Sequence, residues 1–281
     1  MDAGSNPFGD LVSPYSQHGL FIMLYGPPGE GKTTVAAQMD KPLFVATAGE
    51  QGIHIHKKHK RVDPTIPVID LPQLFDADCI PANSGHPGWE KAIEVLDRFG
   101  STKHDRKTLV FDSVSGLEQI SYQHCASRLF DGKITDPEFT SFARGATMAA
   151  NVYWQTEFLP RCLELAAKGF NVVLIAHSSF KNTRNPIGPD FDKYRPELGK
   201  TVFEVLNKSL QGLFYLGRDV SVMVNQATKK KIVTSDRRFI GLMPSTYYEA
   251  KSWLSSSSEG EVECGDTAAE TWANLRVVIG A

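Results

Sequence analysis

Gly26-Pro27-Pro28-Gly29-Glu30-Gly31-Lys32-Thr33-Thr34 carries the G-x-x-x-x-G-K-[ST] spacing of a phosphate-binding loop. An apolar run at 21–25 precedes it and a helix-compatible run at 35–39 follows, the strand–loop–helix setting that the pattern requires. The glycines let the backbone turn its N–H groups inward, as an anion nest at a helix N-terminus. Lys32 then reaches the β- and γ-phosphates of ATP, the Thr33 hydroxyl ligates Mg²⁺, and Thr34 faces the α-phosphate. A Gly/Pro turn with an incidental lysine is the bland alternative, and the flanking elements speak against it.

A triphosphate held this way needs a carboxylate at the tip of a neighbouring strand to hold the Mg²⁺ shell. Thr108-Leu109-Val110-Phe111-Asp112 is a near-continuous apolar strand closed by an acid, which nominates Asp112. An Asp that merely caps the next helix is the competing account. The loop upstream favours the metal role. Ser113 follows, so this strand does not supply the Asp-Glu pair with which many AAA+ ATPases activate water.

The run Val110-Phe111-Asp112-Ser113-Val114-Ser115-Gly116-Leu117 resembles the second nucleotide motif of RecA-type recombinases, where Ser follows the metal Asp. The chain is similar in particular to compact phage-type RecA-like ATPases, often described as single-strand annealing proteins. The matching pieces are Lys41-Pro42-Leu43-Phe44, Gly49-Glu50-Gln51-Gly52, Phe111-Asp112-Ser113, Ala176-His177 and Ser235-Asp236-Arg237. They span about residues 20 to 244. The resemblance implies a RecA-like core that hydrolyses ATP at the subunit interfaces of a homo-oligomeric ring or filament on single-stranded DNA. It places the water-activating carboxylate after the strand that follows the loop's helix, where Glu50 is the nearest acid. It also implies that His177, at a strand tip, senses the γ-phosphate. Arg237 or Arg238 would enter the adjacent subunit's site as a cation. Two departures stand: Ala46 and Ala48 occupy the place of an acidic residue, and Ser235 that of a lysine. An ordinary loop glutamate and a satisfied buried histidine remain alternatives for Glu50 and His177.

The same resemblance assigns DNA contact to the stretch after His177. There Lys181, Arg184, Lys193, Arg195 and Lys200 are interleaved with Phe180, Phe191 and Tyr194. Cations neutralise phosphates and aromatic faces stack bases without sequence preference, which suits single strands. Asp190, Asp192 and Glu197 dilute that charge, so a solvated loop is the alternative. A single-strand-binding protein is a further expected partner. Two readings from other classes stay open, a nucleoside-type small-molecule kinase and a nucleotide-gated scaffold with little turnover.

The run His54-Ile55-His56-Lys57-Lys58-His59-Lys60-Arg61 admits a solvated loop, a second phosphate patch or a zinc site. On a strand His54 and His56 would share a face, but no fourth ligand is evident.

With 281 residues the chain can hold one large domain or two small ones. A net charge of −2 gives no global attraction to nucleic acid, so any contact needs local basic patches. Cys79, Cys125, Cys162 and Cys264 are widely spaced without a C-x-x-C pair, which argues for reduced thiols. Residues 1–6 lack a signal-peptide profile and no apolar stretch is long enough to span a membrane. A soluble, cytoplasmic protein without a membrane partner is expected (in the host cytoplasm if phage-encoded).

Positioning these groups requires strand tips gathered at one rim. Apolar runs at 21–25, 43–46, 66–71, 108–112 and 172–176 alternate with helical stretches at 89–99, 114–130, 151–168 and 201–209. This predicts an α/β fold, a RecA-like P-loop core whose mostly parallel sheet is covered by helices on both faces. Strands at 212–216, 220–225 and 230–234 predict a C-terminal antiparallel meander. Pro160 is expected to kink the 151–168 helix and Gly169 to cap it. Residues 76–88 and 178–199 read as loops. The predicted organisation is a flexible arm at 1–17, an ATPase core at 18–250 and an acidic, flexible tail at 251–281.

Overall fold

The computed structural model describes residues 18–47, 49–72, 80–185, 188–224, 231–255 and 260–281, with the backbone alone at 221–224 and 231–235. The arm at 1–17, Ala48, Cys79 and the serine run at 256–258 lie outside the described residues. β1 (Phe21–Tyr25) leads through the glycine loop into α1 (Lys32–Ala36), then β2 (Pro42–Ala46), α2 (Gly52–Lys58), β3 (Val68–Asp70) and α3 (Pro87–Ser101). β4 (Thr108–Asp112) and α4 (Val114–Leu129) follow, then α5 (Pro137–Thr140), a 3₁₀ turn and α6 (Arg144–Met148). A π-helical segment (Ala149–Phe158) continues into α7 (Leu159–Ala167) and β5 (Asn171–Ala176). β6 (Ser178–Thr183), β7 (Phe191–Pro196), α8 (Lys200–Ser209), β8 (Gly212–Val224) and β9 (Lys231–Gly241) come next. β10 (Lys251–Ser252), β11 (Glu261–Glu263) and α9 (Ala268–Ile279) complete the chain.

Among the described residues one sheet runs β11-β9-β8-β1-β5-β4-β2-β3, with β10 also on β8. From β8 to β3 every pairing is parallel, and β9, β10 and β11 add antiparallel edges. The apolar runs are continuous because both faces of the sheet are covered. Phe21, Met23 and Tyr25 join the core under α3, α4, α7 and α8, whereas Ile22 and Leu24 join that under α1 and α9. Parallel pairing brings the C-terminal ends of β1, β2, β4 and β5 to one rim, where ligands of open α/β sheets bind. β5 lies between β1 and β4. The Asp112 strand is therefore not the immediate neighbour of the loop's strand, as the sequence suggested.

Several local expectations need correction. Residues 52–58 form a helix, so His54 and His56 do not share a strand face, and His54 instead meets Asp70 at 2.7 Å. No three-residue metal-binding group occurs among the described residues. The helix expected from 151 begins at Arg144 and widens into π turns directly before Pro160, which has no N–H to give the Thr156 carbonyl. Gly169 does cap it: at φ 85° it donates to Ala166, and Phe170 donates to Leu165, a Schellman closure. The long loop after His177 is a hairpin, β6 against β7, in register from Ser178↔Pro196 to Thr183↔Phe191. The two strands expected at 212–225 are one continuous β8.

The acidic tail is folded where it is described. β11 pairs with β9, and α9 opens on a capping box in which Thr267 Oγ1 accepts from Glu270 N while Glu270 accepts from Thr267 N. Leu275 and Ile279 are buried against Val35, Ala36 and Ile240 on the α1 side of the sheet. No helix among the described residues is long and apolar enough to cross a membrane.

Candidate active site

The loop's shape follows from its glycines. Gly29 and Gly31 sit at φ 86° and 90°, where a side chain would be strained, and the space around Gly29 is open to 4 Å. Lys32 is buried, and its Nζ donates to the carbonyls of Gly26 at 2.8 Å and Pro27 at 2.9 Å. Burial pushes the ammonium's pKa down, and the negative field of Asp112, Glu50 and Glu30 opposes that fall. Thr34 Oγ1 donates to the Gly31 carbonyl at 2.9 Å and closes the first turn of α1.

Thr33 Oγ1 donates to Asp112 Oδ2 at 2.8 Å. Asp112 is buried at the tip of β4, and desolvation raises its pKa to about 6 against the lowering effect of the Thr33 hydrogen bond. The ends of β2 and β4 are laced together here. Thr47 N donates to the Asp112 carbonyl, and Ser113 N donates to Thr47 Oγ1 at 3.0 Å. That lacing carries the 49–52 turn onto the loop, so that a Cβ on Gly52 would lie 3.6 Å from Thr33 Oγ1. Glu50, on this turn, meets His177 Nε2 at 2.5 Å. The hydrogen bond to His177 is the main cause of Glu50's lowered pKa, and the same contact raises that of His177.

A hydroxyl–carboxylate pair, a buried ammonium and an open glycine nest form the donor set that suits Mg²⁺ and a triphosphate. Lys32 and the loop N–H groups would hold the phosphates, and Thr33 and Asp112 the ion. When bound, the ion would neutralise charge on the phosphate oxygens. Glu50, kept ionised beside Lys32, can accept a proton from water.

The model of the AAA domain family matches residues 18–254. The chain belongs to that family. No curated protein matches it. It is thus an AAA-type P-loop ATPase domain, with Ser113 after Asp112 at the tip of β4 and a second carboxylate, Glu50, brought in from the β2 side.

Further groups of this AAA domain lie on α4 and on the β6–β7 hairpin. Glu118, buried on α4, accepts from Gly199 N at 2.8 Å and Tyr122 OH at 2.8 Å, which ties the hairpin's exit to the helix after Asp112. Its mid-helix position gave no sequence signal. On the hairpin, Phe180 and Tyr194 are cross-strand partners with ring centroids 3.9 Å apart, and Phe180 is 64% exposed. Tyr194 in turn stacks on Tyr215, and Tyr25 OH donates to the Tyr194 carbonyl at 3.2 Å.

The five cations expected to meet DNA are not equivalent. Lys181 and Lys193 are directly opposed on one face of the hairpin, and Arg184 is exposed beyond the end of β6. Arg195 is engaged by Glu249 at 2.5 Å, and Lys200 starts α8 beside Glu204 at 4.0 Å. The two arginines of β9 also part company. Arg237 Nη2 meets Glu261 at 2.6 Å, away from the loop, while Arg238 Nη2 donates to the Glu30 carbonyl at 2.9 Å.

Proposed function

We propose that this ATPase is an ATP-dependent single-stranded-DNA-binding recombinase or annealing protein that works as a homo-oligomer in the cytoplasm. The observation that carries the reading is the hairpin. It begins at Ser178, one residue after His177, and its far end returns to the same point through Glu197 N donating to the His177 carbonyl at 2.9 Å. An exposed aromatic step and opposed lysines on a hairpin rooted at the Glu50–His177 pair suit bases and phosphates whose binding depends on nucleotide state. Hydrolysis with Glu50 as base would relax the DNA-competent state. Arg237, turned from its own loop, is the cation assigned to a neighbouring copy's site, and a single-strand-binding protein is a candidate partner. The test is the ATPase rate with and without single-stranded DNA. Stimulation supports the reading, and an unchanged rate overturns it while leaving the ATPase assignment intact.

A second reading has one observation in its favour. A cleft of about 590 Å³ lies beside Glu50, lined by Ser115, Glu118, Tyr122, His177 and Lys181. It has room for a small phosphoryl acceptor, as a nucleoside-type kinase requires. Phosphate transfer to a nucleoside, detected by mass spectrometry, would replace the first reading with this one.

A further inference from the structure

Arg237 and Arg238 stand side by side on β9, and successive side chains of a strand point to opposite faces. Arg237 is taken by Glu261. Arg238 passes under the glycine loop of its own chain, where Nη2 donates to the Glu30 carbonyl at 2.9 Å. The guanidinium lies so close that a Cβ on Gly31 would stand 2.8 Å from Nη2. The carboxylate of Glu30 is drawn to the same place, with Oε1 3.5 Å from Arg218 Nε and Oε2 3.8 Å from Arg238 Nε. Arg218 is itself held by Asp236 at 2.7 Å and is the register partner of Arg238 across β8 and β9. Arg238 Nε and Glu30 Oε2 are buried without a hydrogen bond, so the carbonyl contact is the one well-formed hydrogen bond of this guanidinium with the loop.

That contact has a directional consequence. The peptide between Glu30 and Gly31 is planar, and its C=O and N–H point to opposite edges. Fixing the carbonyl toward β9 turns the Gly31 N–H toward the concave side of the loop, where such groups cradle phosphate. We propose that Arg238 is a positioning residue acting in cis, which preorganises the phosphate nest by anchoring the Glu30–Gly31 peptide from β9. The proposal rests on the loop as a nucleotide site, not on the DNA reading. It also gives the paired arginines different tasks, Arg238 within the chain and Arg237 outward.

The test uses the full chain without DNA. R238Q, R238K and the parent are titrated with a fluorescent ATP analogue, and their ATPase rates are measured across ATP concentration. R238Q is expected to raise Kd and KM about tenfold, the weight of one charge-assisted hydrogen bond, with a smaller change in kcat. R238K, which can still donate to the carbonyl, is expected to recover part of the loss. A Kd for R238Q within twofold of the parent overturns the proposal. So does recovery of ATPase activity on mixing R238Q with K32A chains, because the intact Lys32 loop of an R238Q chain could then be completed only by an Arg238 donated in trans from a K32A chain. Should R238Q not fold, R238M keeps the packing of the stem and is held to the same Kd criterion. DNA stimulation enters none of these readouts, so the two proposals fail separately.

Discussion

Thr33 Oγ1 and Asp112 Oδ2 are hydrogen-bonded at 2.8 Å although β5 lies between the strands that carry them to the rim, and this is the pair that would hold Mg²⁺ beside a bound triphosphate. Replacing Asp112 with Asn keeps the shape and removes the charge. Hydrolysis with Mg²⁺ is expected to fall about 100-fold or more in kcat, with nucleotide affinity without metal nearly unchanged. The same change should stabilise the nucleotide-free chain. The carboxyl's pKa is about 6 folded against 3.8 ordinarily, so its contribution is fully present below 3.8 and lost as pH rises through about 6. At pH 7 the charged group therefore costs up to about 3 kcal/mol, which the amide avoids. Urea midpoints at pH 7 and pH 4 check the sign, since the gain should shrink at the lower pH.

The Glu50–His177 contact predicts the pH profile. Glu50's folded pKa is lowered, so its share of stability is present above its ordinary range and lost as pH falls through the folded value. His177's is raised, so its share is present below 6.5 and lost as pH rises through its folded value. Between those limits the pair is charged and Glu50 is tied. Above them the imidazole is neutral and the carboxylate is freer to take a proton from water. The ATPase rate is expected to rise along this alkaline limb, and His177→Ala to flatten it. Glu50→Gln should stop hydrolysis while a fluorescent ATP analogue still binds. Undiminished turnover in Glu50→Gln would remove Glu50 from the role of base.

Much of this site was legible in the chain because its residues are fixed by local chemistry. The loop spacing and the acid at the end of Thr108-Leu109-Val110-Phe111-Asp112 needed no tertiary information. Doubly buried strands announce themselves as unbroken apolar runs, which is why β1, β4 and β5 were placed well. The hairpin was not visible, because Ser178-Ser179-Phe180-Lys181-Asn182-Thr183 has no apolar alternation and is held by its partner strand and by Tyr194 on Tyr215. α9 was missed for another reason. The Thr267-x-x-Glu270 box and the spacing of Thr271, Leu275 and Ile279 were present, but the acidic composition outweighed them. The distinction between Arg237 and Arg238 depends on the face of β9, which one-residue register decides.

The folding of α9 onto the core is testable through Leu275, which is fully buried against the α1 side of the sheet. Leu275→Ala is expected to destabilise the chain by about 2–4 kcal/mol, read from urea unfolding, because a buried leucine leaves a cavity when truncated. Removing residues 268–281 should cost more, since it uncovers Val35, Ala36 and Ile240 together. A freely mobile tail would give no change in either variant.

Phe180 separates the DNA reading from fold effects. The ring is mostly exposed, so Phe180→Ala should leave the melting temperature close to that of the parent. If bases stack on the Phe180–Tyr194 step, the same change weakens single-stranded DNA binding by about 1–3 kcal/mol, or roughly 5- to 150-fold in Kd. Lys181→Ala should act differently. It removes one phosphate contact, lowering the slope of log K against log salt by about 0.7 with little dependence on sequence. The Nζ of Lys181 also donates to the Leu198 carbonyl at 3.2 Å, so Lys181→Arg is the companion that keeps both charge and donor. Fluorescence anisotropy with a labelled oligonucleotide, in the presence and absence of ATP, measures all three variants. Equal affinity for the parent and Phe180→Ala at every salt concentration would place the DNA surface away from this hairpin.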